Sequence, residues 1–156
     1  MTDIVTAETR SRMMAGIRGK NTKPEVIIRK ELHKSGFRYR IHDPSLPGKP
    51  DIVLRRYNAV IFVNGCFWHG HDCNLFKWPS TNRQFWRAKI SRTKKRDREK
   101  LGALLESRWR VMILWECALK GRERIPMTQI LENVASWLRS EIPEAEIRGT
   151  PKESRS

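Results

Sequence analysis

The sequence predicts an α/β fold in which a mixed central sheet is flanked by helices. The first observation is that segments with helical hydrophobic spacing are separated by short apolar runs of strand length. The second is their order, which reads helix, three strands, helix, strand, helix. The third is size, because 156 residues suit one compact domain and a hydrophobic content of 38% is enough for its core.

The first predicted helix covers residues 22–34. Thr22 is placed to cap its start, and Glu25 stands at the third helical position, where it would complete a capping box. Pro24 is tolerated in the first turn because its missing N–H group has no helical partner there. The capping box is enough to explain Glu25, and a functional role for its carboxylate requires the helix start to face a cleft.

Four strands are predicted. Residues 37–41 alternate apolar with basic side chains, which is the period of a half-buried strand. Residues 51–54 and 59–63 are mainly apolar and are joined by a short turn. Residues 111–115 are apolar throughout, which indicates a central position in the sheet.

Two further helices are predicted over residues 84–107 and 128–141. The longer one has an inner line that is apolar except for Asp97. A buried carboxylate needs a partner, so Asp97 is either half of an ion pair with an arginine or histidine, or a catalytic acid. The outer face of the same helix is basic and consists of Arg87, Lys89, Arg92, Lys94, Lys95, Arg96 and Arg98.

The net charge of the chain indicates which class of partner it binds. The chain carries 32 Lys and Arg residues against 17 Asp and Glu residues, a formal net charge of +15 that favours a polyanion. No apolar run approaches the roughly 20 residues that span a bilayer, and the start lacks the apolar stretch of a secretory signal. We therefore expect a cytoplasmic protein with no membrane partner and with reduced thiols. We also expect a monomer, because no apolar stripe is left over.

The stretch from Cys66 to Cys73 predicts a metal site. It holds two cysteines and two histidines, and Cys117 follows the fourth predicted strand. Structural zinc takes four tetrahedral N or S ligands, which the cysteines and one histidine supply. His71 is the preferred histidine because it lies beside Cys73 and leaves His69 to project elsewhere. The alternative is three reduced cysteines with two solvent-exposed histidines.

A second candidate site involves carboxylate oxygens. The start of strand 51–54 and the end of strand 59–63 lie close together if the strands pair. Asp51 is then a candidate Mg²⁺ ligand, with a backbone carbonyl near Val63 as a second. His69 is the candidate base that deprotonates a water attacking phosphorus, while the metal offsets charge on the phosphate. The alternative for Asp51 is an aspartate that only initiates a strand after proline.

Basic and aromatic residues indicate a nucleic-acid surface. The basic face of the long helix can neutralise several phosphates. Phe67, Trp68 and Trp86 stand among polar and basic neighbours. Flat side chains inserted between base pairs unstack a duplex at about a few kcal/mol per step, and a mismatched step opens more easily. These aromatic residues are candidates for intercalation, although Trp86 alone is also explained as a core residue at a helix start.

Five stretches of the chain resemble the very short patch repair (Vsr) DNA mismatch endonucleases. They follow one another between about residues 9 and 140, and the central stretch is the most specific to that family. The stretches are residues 9–14, 45–51, 65–73, 95–97 and 111–119.

The resemblance implies a restriction-endonuclease-like fold with a structural zinc. It also implies an enzyme that nicks one strand of duplex DNA 5′ of the thymine in T:G mismatches, which arise when 5-methylcytosine deaminates. Its partners would be double-stranded DNA with such a mismatch and other mismatch-repair proteins, and its location the nucleoid in the bacterial cytoplasm.

The resemblance also assigns roles residue by residue. Asp51 and the carbonyl of Val63 would bind Mg²⁺, and His69 would be the general base. Glu25 and Asp97 would be supporting active-site acids. The implied zinc ligands are Cys66, His71, Cys73 and Cys117, and the implied intercalating residues are Phe67, Trp68 and Trp86.

One departure from the family concerns the end of the third strand. The family usually has histidine at the position of Asn64 and often threonine at Val63. Valine is tolerable because the ligand there is the carbonyl. Asn64 remains a candidate catalytic residue that can hydrogen-bond a phosphate, but it cannot carry a proton at neutral pH. The departure therefore bears on the rate rather than on the type of reaction.

The chain divides into three predicted parts. Residues 1–21 form an N-terminal arm that clamps DNA, and residues 22–141 form the endonuclease domain. Residues 142–156 form a flexible basic tail.

Two other functions fit parts of the pattern. A non-catalytic zinc-containing module that binds DNA lesions explains the charge, the aromatic residues and the cysteines, but leaves Asp51 and His69 without a role. A restriction or homing nuclease would cut matched duplex as readily as mismatched duplex.

Overall fold

The computed structural model describes residues 22–151 of the chain. The arm predicted over residues 1–21 and the last residues of the predicted tail, 152–156, lie outside these described residues. Within the described part, no helix has both the length and the apolar character needed to cross a membrane.

Helix α1 covers Lys23–Lys34, close to its predicted bounds. The predicted capping box is wrong, because the side chain of Thr22 makes no cap hydrogen bond. Glu25 is only 1% exposed, and its carboxylate accepts a hydrogen bond from Arg29 and contacts His42. Tertiary partners therefore hold this carboxylate, which a helix-capping pattern cannot reveal.

Five strands form one sheet with the spatial order β1-β2-β3-β4-β5. Strands β1, β2 and β3 pair antiparallel, whereas β3, β4 and β5 pair parallel. The predicted α/β fold with a mixed sheet is thereby confirmed. The strands are β1 at Arg40–Ile41, β2 at Ile52–Leu54, β3 at Ala59–Asn64, β4 at Arg110–Trp115 and β5 at Glu144–Ile147.

Helices cover both faces of the sheet. Alternate residues of β2 divide between the faces: Ile52 and Leu54 pack with α1 and α4, while Val53 packs with Leu104 of α2. This alternation follows from the strand period of two and creates the two halves of the core. The remaining helices are α2 at Arg83–Glu106, α3 at Glu116–Leu119 and α4 at Met127–Arg139.

Three elements differ from the predictions. Strand β1 is shorter than residues 37–41, because the N–H of Phe37 bonds to the carbonyl of Leu32 at the end of α1. The short helix α3 was not predicted. Strand β5 lies in the segment that was predicted as a flexible tail, and Ile147 is its one buried residue. A strand with a single long apolar side chain shows little sequence signal, and its pairing with β4 is what orders it.

Candidate functional site

A cleft of about 920 Å³ lies beside the carboxyl end of β3. Asp51, Asn64, His69 and Asp97 all line it, although they come from three separate parts of the chain. Four of the five predicted catalytic residues therefore meet in the cleft. The fifth, Glu25, is not part of the cleft lining but lies beside Asp51. Its walls also carry six basic residues, Lys23, Lys49, Lys89, Arg96, Lys100 and Lys120.

Asp51 is fixed at the start of β2 by the neighbouring strand. Its Oδ2 accepts a hydrogen bond of 2.7 Å from the backbone N–H of Val63, so the two strand ends lie together as predicted. Burial is the main cause that raises the pKa of Asp51 to about 7; the charge of Glu25 also contributes to this rise, while the hydrogen bond from Val63 opposes it. A divalent cation at this carboxylate would favour its ionised form. The donor chemistry of Asp51 therefore fits a hard cation.

Asp51 belongs to a cluster with Glu25 and His42. Ligand atoms of the three residues lie within 4.8 Å of one another. The Nε2 atom of His42 is 2.5 Å from Oε2 of Glu25, and Nη1 of Arg29 is 3.0 Å from the same oxygen. His42 belongs to no motif in the sequence and was not predicted as a site residue. The register of β1 against β2 is the signal that finds it, because continuing that register sets His42 opposite Asp51.

His69 and Asp97 form a second pair in the cleft. The Nδ1 atom of His69 is 2.6 Å from Oδ2 of Asp97, and both side chains are partly exposed. Asp97 thus has the histidine partner that its place on the inner line of α2 required. The pairing orients the imidazole and leaves Nε2 as the ring nitrogen that points away from the carboxylate.

The loop that carries His69 docks closely on α2. Gly70 has a left-handed φ of +61°, and a Cβ atom added there would lie 2.6 Å from Cγ2 of Ile90. A larger residue would therefore push the loop away from the helix. This close approach is what brings His69 within reach of Asp97.

Asn64 closes the end of β3 at the rim of the cleft. Its side chain is buried, and its neighbour in the parallel ladder is Trp115 of β4. The amide can donate and accept hydrogen bonds but has no titratable proton.

The Cys/His stretch forms a compact cluster beyond the cleft. Ligand atoms of four residues lie within 4.8 Å of one another, and the residues are Cys66, His71, Cys73 and Cys117. The set includes His71 rather than His69, and it joins the loop after β3 to α3. Three thiols and one imidazole in this arrangement suit a tetrahedral divalent metal of the zinc type.

Hydrogen bonds and packing support the sulfur atoms of this cluster. The Sγ of Cys66 accepts from the N–H of Cys117 at 3.3 Å, and the Sγ of Cys117 accepts from the N–H of Gly149 at 3.2 Å. Burial raises the pKa of the Cys66 and Cys117 thiols, which a bound cation would oppose.

The imidazole of His71 is held flat against β4. Its ring stacks on Trp115 at 3.8 Å between centroids, with an interplanar angle of 8°. Its Nδ1 atom lies 3.6 Å from Sγ of Cys117. Burial lowers the pKa of His71 and so favours the neutral imidazole, which is the form that binds metals.

Aromatic side chains form a continuous cluster at one end of the cleft. Phe67, Trp68 and Trp86 contact one another, with ring centroids 5.2 to 5.8 Å apart. Trp86 is half-buried within this cluster. Phe76 stacks on Phe67 and contacts Trp78, which extends the cluster beyond the residues found from the sequence.

The outer members of the aromatic cluster face solvent. Trp78 is 45% exposed and Phe85 is 55% exposed. The guanidinium of Arg87 lies 5.8 Å from the ring centroid of Trp78. The basic residues of α2 continue from this end of the cleft. All of those predicted for its outer face are exposed except Lys89, which is half-buried. Two of them, Lys89 and Arg96, also line the cleft.

Comparison with known proteins gives consistent matches. A family model described as DNA mismatch endonuclease Vsr matches residues 2–75. The DNA mismatch endonuclease Vsr of Escherichia coli (strain K12) is 42% identical over 147 residues, which cover 94% of each chain. The type II nicking enzyme V.NmeAIP of Neisseria meningitidis serogroup A is 47% identical over 122 residues, covering 78% of this chain and 87% of that enzyme.

A third relative agrees with these two. The type II nicking enzyme V.XorIIP of Xanthomonas oryzae pv. oryzae is 44% identical over 119 residues, covering 76% of this chain and 88% of that enzyme. These matches, together with the fold, define the class of the protein as a DNA endonuclease. More narrowly, the chain belongs to the DNA mismatch endonuclease Vsr family.

Proposed function

We propose that this protein is a Mg²⁺-dependent endonuclease that nicks duplex DNA 5′ of the thymine in T:G mismatches. Such mismatches arise from deamination of 5-methylcytosine, and the nick would initiate very short patch repair. One observation carries the proposal: Asp51 and the hydrogen-bonded pair of His69 and Asp97 line the same basic cleft. A metal-binding carboxylate and an oriented imidazole at one place suit the hydrolysis of a phosphodiester.

Asp51 would hold Mg²⁺ together with the carbonyl of Val63. The ion would stabilise charge on the phosphate and activate a bound water. The hydrogen bond from the N–H of Val63 keeps the Asp51 carboxylate at the end of β3. Glu25 lies beside Asp51 and adds negative charge that favours a cation there.

His69 would take the proton of the attacking water at Nε2. Asp97 holds the ring through Nδ1 and would stabilise the imidazolium as it forms. Asn64 at the cleft rim would hydrogen-bond a phosphate oxygen, a role that its amide can fill without a proton transfer.

The DNA would lie along the basic wall of the cleft and the outer face of α2. Lysine and arginine side chains that contact phosphates release counterions, so the affinity should fall steeply with salt. Phe67, Trp68 and Trp86 would enter the base stack beside the mismatch. A T:G step is easier to unstack than a matched step, which supplies a physical basis for the preference.

The Cys/His cluster would hold structural Zn²⁺. It connects the loop that carries Phe67, Trp68 and His69 to α3 through Cys117. A closed tetrahedral site has no open position for substrate, so its role would be to fix this loop. The position of His69 in the cleft would then depend on the zinc.

The test is cleavage of end-labelled duplexes that differ only in one base pair, T:G or T:A. With Zn²⁺ bound and Mg²⁺ added, we expect one nick 5′ of the mismatched thymine and an intact T:A duplex. His69→Gln should bind the T:G duplex and leave it intact, while the exposed His33→Gln is the matched control and should nick normally.

Other outcomes identify the competing functions. Tight binding of T:G duplex with no nick at high enzyme excess would indicate a lesion-binding module. Equal cleavage of the T:A duplex would indicate a restriction or homing nuclease. Either result would overturn the proposal.

A further inference from the structure

The cluster of Glu25, His42 and Asp51 combines two kinds of donor atom. Its ligand atoms lie within 4.8 Å of one another, and they comprise two carboxylate oxygens and one imidazole nitrogen. Glu25 is almost completely buried, and His42 and Asp51 are partly buried. The ligand atoms are therefore close enough together to coordinate one metal ion.

The backbone holds His42 in place toward this cluster. His42 directly follows β1 and has a left-handed φ of 50°, a conformation that few non-glycine residues adopt. Its N–H donates a hydrogen bond of 3.3 Å to the carbonyl of Asp51. The side chains of the two residues are therefore held at the same end of the β1–β2 pair.

The charges around the cluster favour a cation between its members. Oε2 of Glu25 is contacted by Nε2 of His42 at 2.5 Å and by Nη1 of Arg29 at 3.0 Å. A divalent cation can take the place of the direct contact between His42 and Glu25, while Arg29 continues to pair with the carboxylate. Two carboxylates, one arginine and a divalent cation then leave a net charge of about +1, which a DNA phosphate in the cleft would offset.

The donor set determines which cation the site prefers. Mg²⁺ takes oxygen ligands and keeps several waters, so an imidazole adds little to its binding. Imidazole is a good ligand for first-row transition metals, and carboxylates also bind Mn²⁺. A mixed set of one nitrogen and two carboxylate oxygens is thus better suited to Mn²⁺ and related ions than to Mg²⁺.

We propose that His42 is a third metal ligand beside Asp51 and Glu25, and that it makes the cleft site bind transition-metal divalent cations such as Mn²⁺ in preference to Mg²⁺. This rests on the proposed function in one respect, since the ion concerned is the one that would act on the scissile phosphate. His42 therefore determines metal specificity rather than proton transfer.

The experiment measures Mn²⁺ binding to the zinc-loaded protein without DNA, by electron paramagnetic resonance. We expect one Mn²⁺ ion whose pulsed spectrum shows coupling to a ring nitrogen. His42→Gln should remove that coupling and weaken Mn²⁺ binding by about 10-fold or more. Competition between Mn²⁺ and Mg²⁺ measures the Mg²⁺ affinity of both proteins. His42→Gln should change that affinity by less than about threefold, because the carboxylates supply most of the Mg²⁺ binding.

Two further variants serve as references. His33→Gln changes an exposed histidine of α1 and should leave Mn²⁺ binding unchanged. Asp51→Asn should abolish binding of both ions at this site. Mn²⁺ binding that is equal in His42→Gln and the unsubstituted protein would overturn the proposal, as would the absence of Asp51-dependent Mn²⁺ binding.

These outcomes are separate from a failure of the proposed nicking function. A protein that nicks T:G duplex but binds Mn²⁺ independently of His42 overturns only the metal assignment. A protein with His42-dependent Mn²⁺ binding that leaves the T:G duplex intact overturns only the nicking proposal.

Discussion

The two clusters of metal-ligating residues are both compact but have different surroundings. In each, the ligand atoms lie within 4.8 Å of one another. The Cys/His cluster is mostly buried and consists of three thiols and an imidazole. The cluster of Glu25, His42 and Asp51 consists of two carboxylates and an imidazole, and Asp51 and His42 border the open cleft.

The difference separates a structural role from a chemical one. Four N and S donors complete a tetrahedral shell and leave no position for a substrate, so the Cys/His cluster stabilises the loop that crosses to α3. Oxygen donors at the edge of a cleft leave positions open for water and phosphate. Close spacing alone therefore does not identify an active site. The type of donor atom and the access of solvent distinguish an active site from a structural metal site.

The largest expected effect comes from the open cluster. Asp51→Asn keeps an oxygen that can accept the hydrogen bond from Val63, but it removes the carboxylate charge. We expect nicking of T:G duplex to fall by about 10³-fold or more, with DNA binding changed only a few-fold. Single-turnover cleavage and a gel-shift titration measure the two quantities.

Asp43→Asn is the matched control for that substitution. Asp43 is a carboxylate near the same loop, but it pairs with Ser45 and Arg55 instead of lining the cleft. Its substitution should leave nicking within a few-fold of normal. If Asp51→Asn and Asp43→Asn behave alike, the open cluster is not the reaction centre.

The closed cluster should govern folding rather than the chemical step. Cys117→Ser removes a sulfur that accepts from Gly149 and lies beside His71. We expect loss of one bound zinc and a decrease of roughly 3 kcal/mol in the free energy of unfolding. Metal analysis and urea denaturation measure these changes.

His69→Gln tests whether the loss of zinc and stability is specific to the ligands of the Cys/His cluster or follows from any substitution in the loop after β3. His69 lies in the same loop but its Nδ1 pairs with Asp97. The variant should keep its zinc and nearly all of its stability. Retention of a full zinc equivalent by Cys117→Ser would contradict the assignment of this residue as a ligand.

The last expected effect is a pH dependence that the open cluster imposes on the free energy of unfolding. The pKa of Asp51 is about 7 in the folded protein, against an ordinary value of 3.8. Between these values the folded protein keeps a proton that the unfolded chain has released. The free energy of unfolding should therefore fall as the pH rises through this range, by at most about 1.4 kcal/mol per pH unit.

Asp51→Asn isolates this dependence because its side chain does not titrate. We expect denaturation experiments without added Mg²⁺ or Mn²⁺ to show that the free energy of unfolding falls more steeply with pH in the unsubstituted protein than in the variant between pH 4 and 7. Above that range the two curves should run parallel. Curves that are parallel throughout would mean that burial does not raise the pKa of Asp51.

Some of this organisation could be predicted from the sequence because its signals are local. The runs around Val60 and Val111 predicted the central strands, since apolar stretches of that length form buried strands. The grouping of Cys66, His71 and Cys73 within one short loop predicted a metal site, because the donor atoms are close whatever the fold. Asp51 was marked by its place at the start of a strand.

Three features could be recognised only in the tertiary structure: the partners of Glu25, the position of His42 and strand β5. Glu25 carries a helix-capping pattern, yet its carboxylate is held by Arg29 and His42. His42 is an isolated histidine in the sequence, and only strand pairing sets it opposite Asp51. Strand β5 has one buried apolar side chain and is ordered by β4. The physical reason is common to all three, because a contact between residues far apart in the chain depends on register and packing, which no local pattern of residues specifies.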